Sequence, residues 1–222
     1  MDQLIKREIA GIINQIKRGD APNIVDDAGN LCTADSSEHL FDVIDVKEGQ
    51  SFIVKYNSGS VHYLNGRETD TYSLRFICYD EYMHRFTYDD GKGNTQKSML
   101  KKNAKLADYI VFDKSDEKVY FIVQEITTEN VADKRRTGRV QLSDTVNQLY
   151  KSKAIADYID GFKNKICFLS AKDGRTVADT LGMADGFNMI YRILPEPIQF
   201  NFGQIGTHHF TAFETSIVKL DK

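Results

Sequence analysis

The stretch KSMLKKNAKLADYIVFDKSDEKVYFIVQEITTENVADKRRTGRVQLSDTVNQLYKSKAIADYIDGFKNKICFLSAK, residues 97–172, decides the fold. It reads as strand, polar turn, strand, loop, long helix and strand. DYIVF (108–112) and VYFIVQEIT (119–127) are dense in β-branched and aromatic residues and flank the turn DKSDEK, the composition of an antiparallel hairpin. The helix is expected to begin between Gly138 and Gln141, because Leu142, Val146, Leu149, Ala156 and Ile159 form an apolar stripe. ICFLS (166–170) is apolar almost throughout, as a strand covered on both faces must be. A hairpin, a crossover helix and a buried strand together predict an α/β (α+β) fold, a mixed central sheet flanked by helices.

Working outward, residues 2–18 predict an amphipathic helix, with Leu4, Ile5, Ile9, Ile12, Ile13 and Ile16 at three- and four-residue steps and Gly19 as its stop. A second helix is expected from about Ser36 to Val46, where Asp35 and Glu38 stand in capping-box spacing. Between 51 and 90, SFIVKY, SVHYL, YSLRFICY and HRFTY read as strands and run into the Gly-rich tip DDGKGN, a β-rich subdomain. After Gly174, RTVADTLGM reads as a helical turn and FNMIYRIL as a strand. Pro195 and Pro197 then break the chain before a closing strand pair. The expected division is 1–95 (helices and β-rich subdomain), 96–194 (α/β core) and 195–222 (strand extension).

The composition, 41% hydrophobic over 222 residues, excludes a disordered chain. No apolar run approaches the roughly 18 residues of a membrane span, and the first helix is charged, so neither a transmembrane anchor nor a signal peptide is expected. Cys32, Cys78 and Cys167 are scattered, without a CxxC spacing. They predict no disulfide framework and no structural zinc site, and point to a reduced, cytoplasmic compartment. Residues 1–91 carry 9 basic and 16 acidic side chains, 92–175 carry 17 and 11, and 176–222 carry 3 and 5. A basic block between acidic flanks permits a nucleic-acid surface in its middle third.

Side chains alternate faces along a strand, so Phe121, Val123, Glu125 and Thr127 share one face of the second core strand. Glu125 interrupts that apolar row at its end, and Asp108 opens the hairpin partner. Two carboxylates at one rim of a sheet can hold a hard divalent cation through oxygen, and Mg²⁺ so held can polarise a phosphodiester. Asp108 can also simply end a loop, and Glu125 can pair with Lys105 or Arg139. Elsewhere, GKGN (91–94) lacks the frame of a phosphate loop, and His208 and His209 as strand neighbours would point to opposite faces.

Residues 97–172 resemble the PD-(D/E)xK restriction-endonuclease-like superfamily, on the strand-opening Asp108, the strand-closing Glu125 and the helix that follows. The resemblance implies a restriction-endonuclease-like core and a Mg²⁺-dependent nuclease, with Asp108 and Glu125 as metal ligands. It also implies DNA ahead of RNA as partner, and a homodimer is a candidate assembly. The family's Pro before the first Asp is Ala107 here, and the triplet's Lys falls on Thr127, which cannot supply a positive charge. Lys105, Lys134 and Arg139 are candidate substitutes, with Lys105 nearest Asp108 and assigned the catalytic role. Glu8, on the first helix, is assigned the family's additional metal ligand, and Gln141 resembles its polar helix residue. Lys134, Arg135, Arg136, Arg139 and Gln141 form the expected nucleic-acid-binding set. The alternative reading keeps the fold and drops the chemistry, leaving a nucleic-acid-binding or protein-interaction module in which Thr127 marks a lost lysine.

Overall fold

The computed structural model describes residues 1–25, 29–45, 51–91, 96–102, 104–127, 131–171 and 196–221, with the side chains of 131–134 and 171 outside that description. The chain opens with α1 (Asp2–Ile16), followed by β1 (Thr33–Ser36), β2 (Leu40–Val43), β3 (Ile53–Lys55), β4 (Val61–Asn65) and β5 (Leu74–Cys78). Then come α2 (Tyr79–His84), β6 (Thr87–Asp89), β7 (Gln96–Ser98), β8 (Tyr109–Asp113) and β9 (Tyr120–Thr127). The helices α3 (Val131–Leu149) and α4 (Lys153–Asp160) lead to β10 (Asn164–Ala171). β11 (Ile198–Phe200), the short α5 (Gln204–Thr207), β12 (Thr211–Glu214) and β13 (Ile217–Leu220) follow.

The fold is α/β, built on a seven-stranded mixed sheet ordered β1-β5-β8-β9-β10-β12-β11. β5, β8 and β9 run antiparallel in turn, while β10 is parallel to both β9 and β12. The α3–α4 pair is the crossover that a parallel β9–β10 connection requires. On one face, Ile110, Phe121 and Val123 pack in one core with the buried isoleucines of α1 and with Leu142, Val146 and Leu149 of α3. Each such buried side chain stabilises by about 1.5–3 kcal/mol. On the other face, Tyr109, Val111 and Ile122 meet Phe41, Tyr63 and Val218 of a four-stranded sheet ordered β13-β4-β2-β3. The result is three layers, helices on sheet on sheet.

Several expectations change. The helix expected over 36–46 is replaced by β1 and β2, because Phe41 and Val43 are buried in the second core and Asp42 accepts from Ser58, Gly59 and His62. Asp35 does not cap; it pairs with Arg75 and Lys114. The long helix begins earlier than expected, at Val131, and is broken after Leu149. Ser152 then caps α4 by accepting from the Ile155 N–H at 3.3 Å. α2 takes Tyr79 from the end of one expected strand and His84 from the start of the next. Boundaries at 95 and 195 cut through sheets, since β5 pairs with β8, β12 with β10, and β13 with β4. The tip at 92–95 and the elements expected between 175 and 194 lie outside the described residues. Among the described residues, no helix is long and apolar enough to cross a membrane.

Candidate functional site

The β8–β9 register pairs Tyr109 with Gln124, and one further step sets Asp108 opposite Glu125. The same rung extends outward. Tyr79, the first residue after β5, donates its N–H to the Asp108 carbonyl at 2.8 Å, and Leu169 of β10 stands beside Glu125. The two acids also lock each other's strands: Asp108 Oδ2 accepts from the Ile126 N–H at 2.7 Å, and the Glu125 carboxyl accepts from the Asp108 N–H.

Two further carboxylates converge there. The β5 chain turns into α2 at the rung of Asp108, which delivers Asp80 in that helix's first turn. The Tyr109 hydroxyl donates to the Ile44 carbonyl at 2.7 Å and so tethers the segment that carries Asp45. Asp45, Cys78, Asp80, Glu81, Asp108 and Tyr109 line a small pocket of about 50 Å³. Glu125, opposite Asp108, is only 7% exposed, and among the described residues its Oε2 has no hydrogen-bond partner.

The electrostatics follow from that crowding. Burial, then repulsion from Asp108 and Asp80, pushes the Glu125 carboxyl up to about 10. Burial raises Asp108 to about 8 against the opposing Ile126 hydrogen bond, with Asp45 and Asp80 adding to the rise. Burial also raises Asp80 and Asp45. Buried acids that repel one another and include an unpartnered oxygen are a donor set that a hard cation would satisfy. Asp108 and Glu125 are the pair whose oxygens could offer themselves to such a cation; among the described residues, Asp80 and Asp45 are not gathered with them to within 4.8 Å.

Helix α3 positions the rim. Gln141 Nε2 donates to the Leu106 carbonyl at 2.8 Å, and one turn on, Thr145 Oγ1 accepts from the Ala107 N–H at 2.8 Å. Both backbone groups just before Asp108 are thus held. Gln141, expected among the nucleic-acid-binding residues, spends its amide N–H on this backbone contact. Gly138 lets the helix approach, since a Cβ there would lie 2.5 Å from Leu169 Cδ1 and 3.4 Å from Glu125 Cγ.

The remaining expected residues divide. Lys105 is exposed and near enough to Asp80 to stabilise its charge. Thr127 is buried at the end of β9. Glu8 is engaged elsewhere, with Arg7 and with Ser152 Oγ at 2.9 Å. Ser152 follows the far end of α3, and the helix from Gly138 to Leu149 alone spans about 16 Å, so Glu8 is not brought to the carboxylates. Arg135 and Arg139 stand on α3 and not in a loop, and both pair with Glu214 of β12, which is 7% exposed. Arg139 also lies over the Phe200 ring at 4.5 Å. Arg136 is exposed, and the Lys134 side chain is outside the described residues.

Asp80, Asp45 and Thr145 were not anticipated from the sequence. Only the register that sets Tyr79 beside Asp108 reveals Asp80, although the acid pair Asp80-Glu81 directly after a strand is a usable signal. Comparison with family models, with curated proteins and with solved structures finds no match to the chain.

Proposed function

We propose that the protein is a metal-dependent phosphodiesterase acting on DNA, with Asp108 and Glu125 as the principal holders of Mg²⁺ and Asp80 beside them. The observation that carries this reading is the convergence of four carboxylates from four separate segments, one of them with an orphaned buried oxygen. Bound there, Mg²⁺ would supply Lewis acidity toward a phosphodiester oxygen and toward water. Asp108 is held in place by the Ile126 N–H and by the Gln141 and Thr145 clamp on the preceding backbone. Lys105 supplies the positive charge that Thr127 lacks, from the Asp80 side of the pocket. Arg136 and the exposed part of Arg135, whose side chain is 45% exposed, contact the DNA backbone. The order β8, β9, α3, β10, with acids at the strand-opening and strand-closing positions, supports a restriction-endonuclease-like core.

The test is plasmid cleavage with Mg²⁺ or Mn²⁺. Parent protein nicks the DNA, Asp108→Ala and Glu125→Ala do not, and Lys105→Ala falls at least about tenfold. Equal cutting by parent and both acid variants rejects the assignment. Thr127 at the lysine position favours a second reading, a nuclease-fold module that binds without cutting. Metal-independent DNA binding with no cleavage would select it.

A further inference from the structure

Cys32 precedes β1 and Cys78 ends β5, and the β1–β5 register places them directly opposite each other. The Cys78 N–H donates to the Cys32 carbonyl at 2.9 Å, which extends the ladder to that rung. Glu81, in the first turn of α2, reaches the same spot. One ligand atom from each of Cys32, Cys78 and Glu81 lies within 4.8 Å of the others. Burial raises both thiols, and the nearby Glu81 carboxylate adds to the rise, so both sulfurs are protonated in the metal-free protein. The Arg85 guanidinium holds Glu81 Oε1 at 2.5 Å and leaves Oε2 for another partner.

We infer that Cys32, Cys78 and Glu81 form a binding site for a thiophilic divalent cation of the Zn²⁺ class. Two thiolates and one carboxylate are a borderline-soft donor set, distinct from the all-oxygen set around Asp108. Their spacing needs only a small contraction to bring all three onto one ion. Binding replaces two S–H protons, both released to solvent, so the neutral thiol pair becomes a dithiolate balanced by the metal. Arg85 fixes the carboxylate from behind, as an outer hydrogen bond does at metal sites. Three protein donors leave a fourth position for water or a substrate oxygen. Cys78 and Glu81 also line the carboxylate pocket, so the thiol site and the oxygen site share a wall. The inference does not depend on the nuclease reading.

The experiment is titration of the reduced 222-residue chain with Co²⁺ alone, read by thiolate-to-cobalt charge-transfer absorption, followed by displacement with Zn²⁺. One equivalent of Co²⁺ should give the band, and Zn²⁺ should abolish it. Cys32→Ser, at a half-buried position, should lose the band while keeping its circular dichroism and cooperative melt. Glu81→Gln should weaken Co²⁺ binding at least about tenfold. Asp108→Asn should retain the band, which separates this site from the carboxylates. No thiolate band in the reduced parent, or a band unchanged in Cys32→Ser, would overturn the site. So would thiols that close to a Cys32–Cys78 disulfide in air but bind no metal when reduced.

Discussion

Glu125 and Asp108 face each other at the last rung between β8 and β9, and each spends one carboxylate oxygen on the other strand's backbone. Glu125 Oε2 is left without a hydrogen-bond partner among the described residues. Glu125→Gln keeps the shape and removes the need for the folded state to hold, at pH 8, a proton that the unfolded chain has released. It should therefore stabilise the metal-free protein at pH 8 by on the order of 1–3 kcal/mol and abolish the rise in melting temperature produced by Mn²⁺. A loss of stability in metal-free buffer would show that the carboxylate has a cationic or donor partner. Thr145→Val leaves the Ala107 N–H buried without an acceptor. It should cost about 1–3 kcal/mol and weaken Mn²⁺ binding, with thermal melts and a Mn²⁺ titration as the measurements. At this scale, that Asp108 and Glu125 share one rung was legible in the sequence, because Glu125 visibly interrupts an apolar strand face and Asp108 opens the hairpin partner. It did not reveal Asp80, Asp45 or the pairing of Cys32 with Cys78, because those juxtapositions depend on cross-strand registers that no local pattern encodes.

Helix α3 is the element that organises the rim, and its glycine sets how closely it can lie. Gly138→Ala should destabilise by about 1–3 kcal/mol through overpacking against Leu169. Gly11→Ala, on the exposed side of α1 with nothing within 4 Å, should instead stabilise by about 0.5–1 kcal/mol. Paired urea melts test both, and equal shifts of the same sign would contradict the packing argument. The arginines of the same helix divide by their surroundings. Arg139, held by Glu214 and Phe200, is part of the fold, whereas Arg136 faces solvent. Arg136→Ala should lower the salt slope of DNA binding by about one unit, read by fluorescence anisotropy across a salt series. An unchanged slope assigns Arg136 to solvent. The basic run was legible in the sequence, but its partial neutralisation was not, since Glu214 lies far along the chain on β12.

For the whole molecule, the strand–strand–helix–strand order was legible because apolar periodicity switches clearly between 108 and 170. The second sheet was not, because β13 closes it from the far end of the chain beside β4. Asp35 and Glu38 mimic a capping box, yet burial of Phe41 and Val43 outweighs that local preference and makes strands. The carboxylate cluster also sets how the molecule responds to pH. Asp108 and Glu125 hold protons in the folded state up to about 8 and 10, against 3.8 and 4.5 as ordinary values. Between those limits the native state binds more protons than the unfolded one, so stability from these groups is fully present at low pH and falls as pH rises. Metal-free protein should therefore lose stability from about pH 5 toward pH 9, and saturating Mn²⁺ should flatten that decline. Melts across the range check it, and a metal-free profile that climbs through this window would reject it.

The most direct measurement is calorimetric titration of Mn²⁺ into the protein at pH 8, for the parent, for Asp108→Asn with Glu125→Gln, and for Cys32→Ser. A site at the carboxylates predicts saturable binding in the parent and in Cys32→Ser and its loss in the double variant. Binding absent from the parent, or undiminished in the double variant, would contradict it.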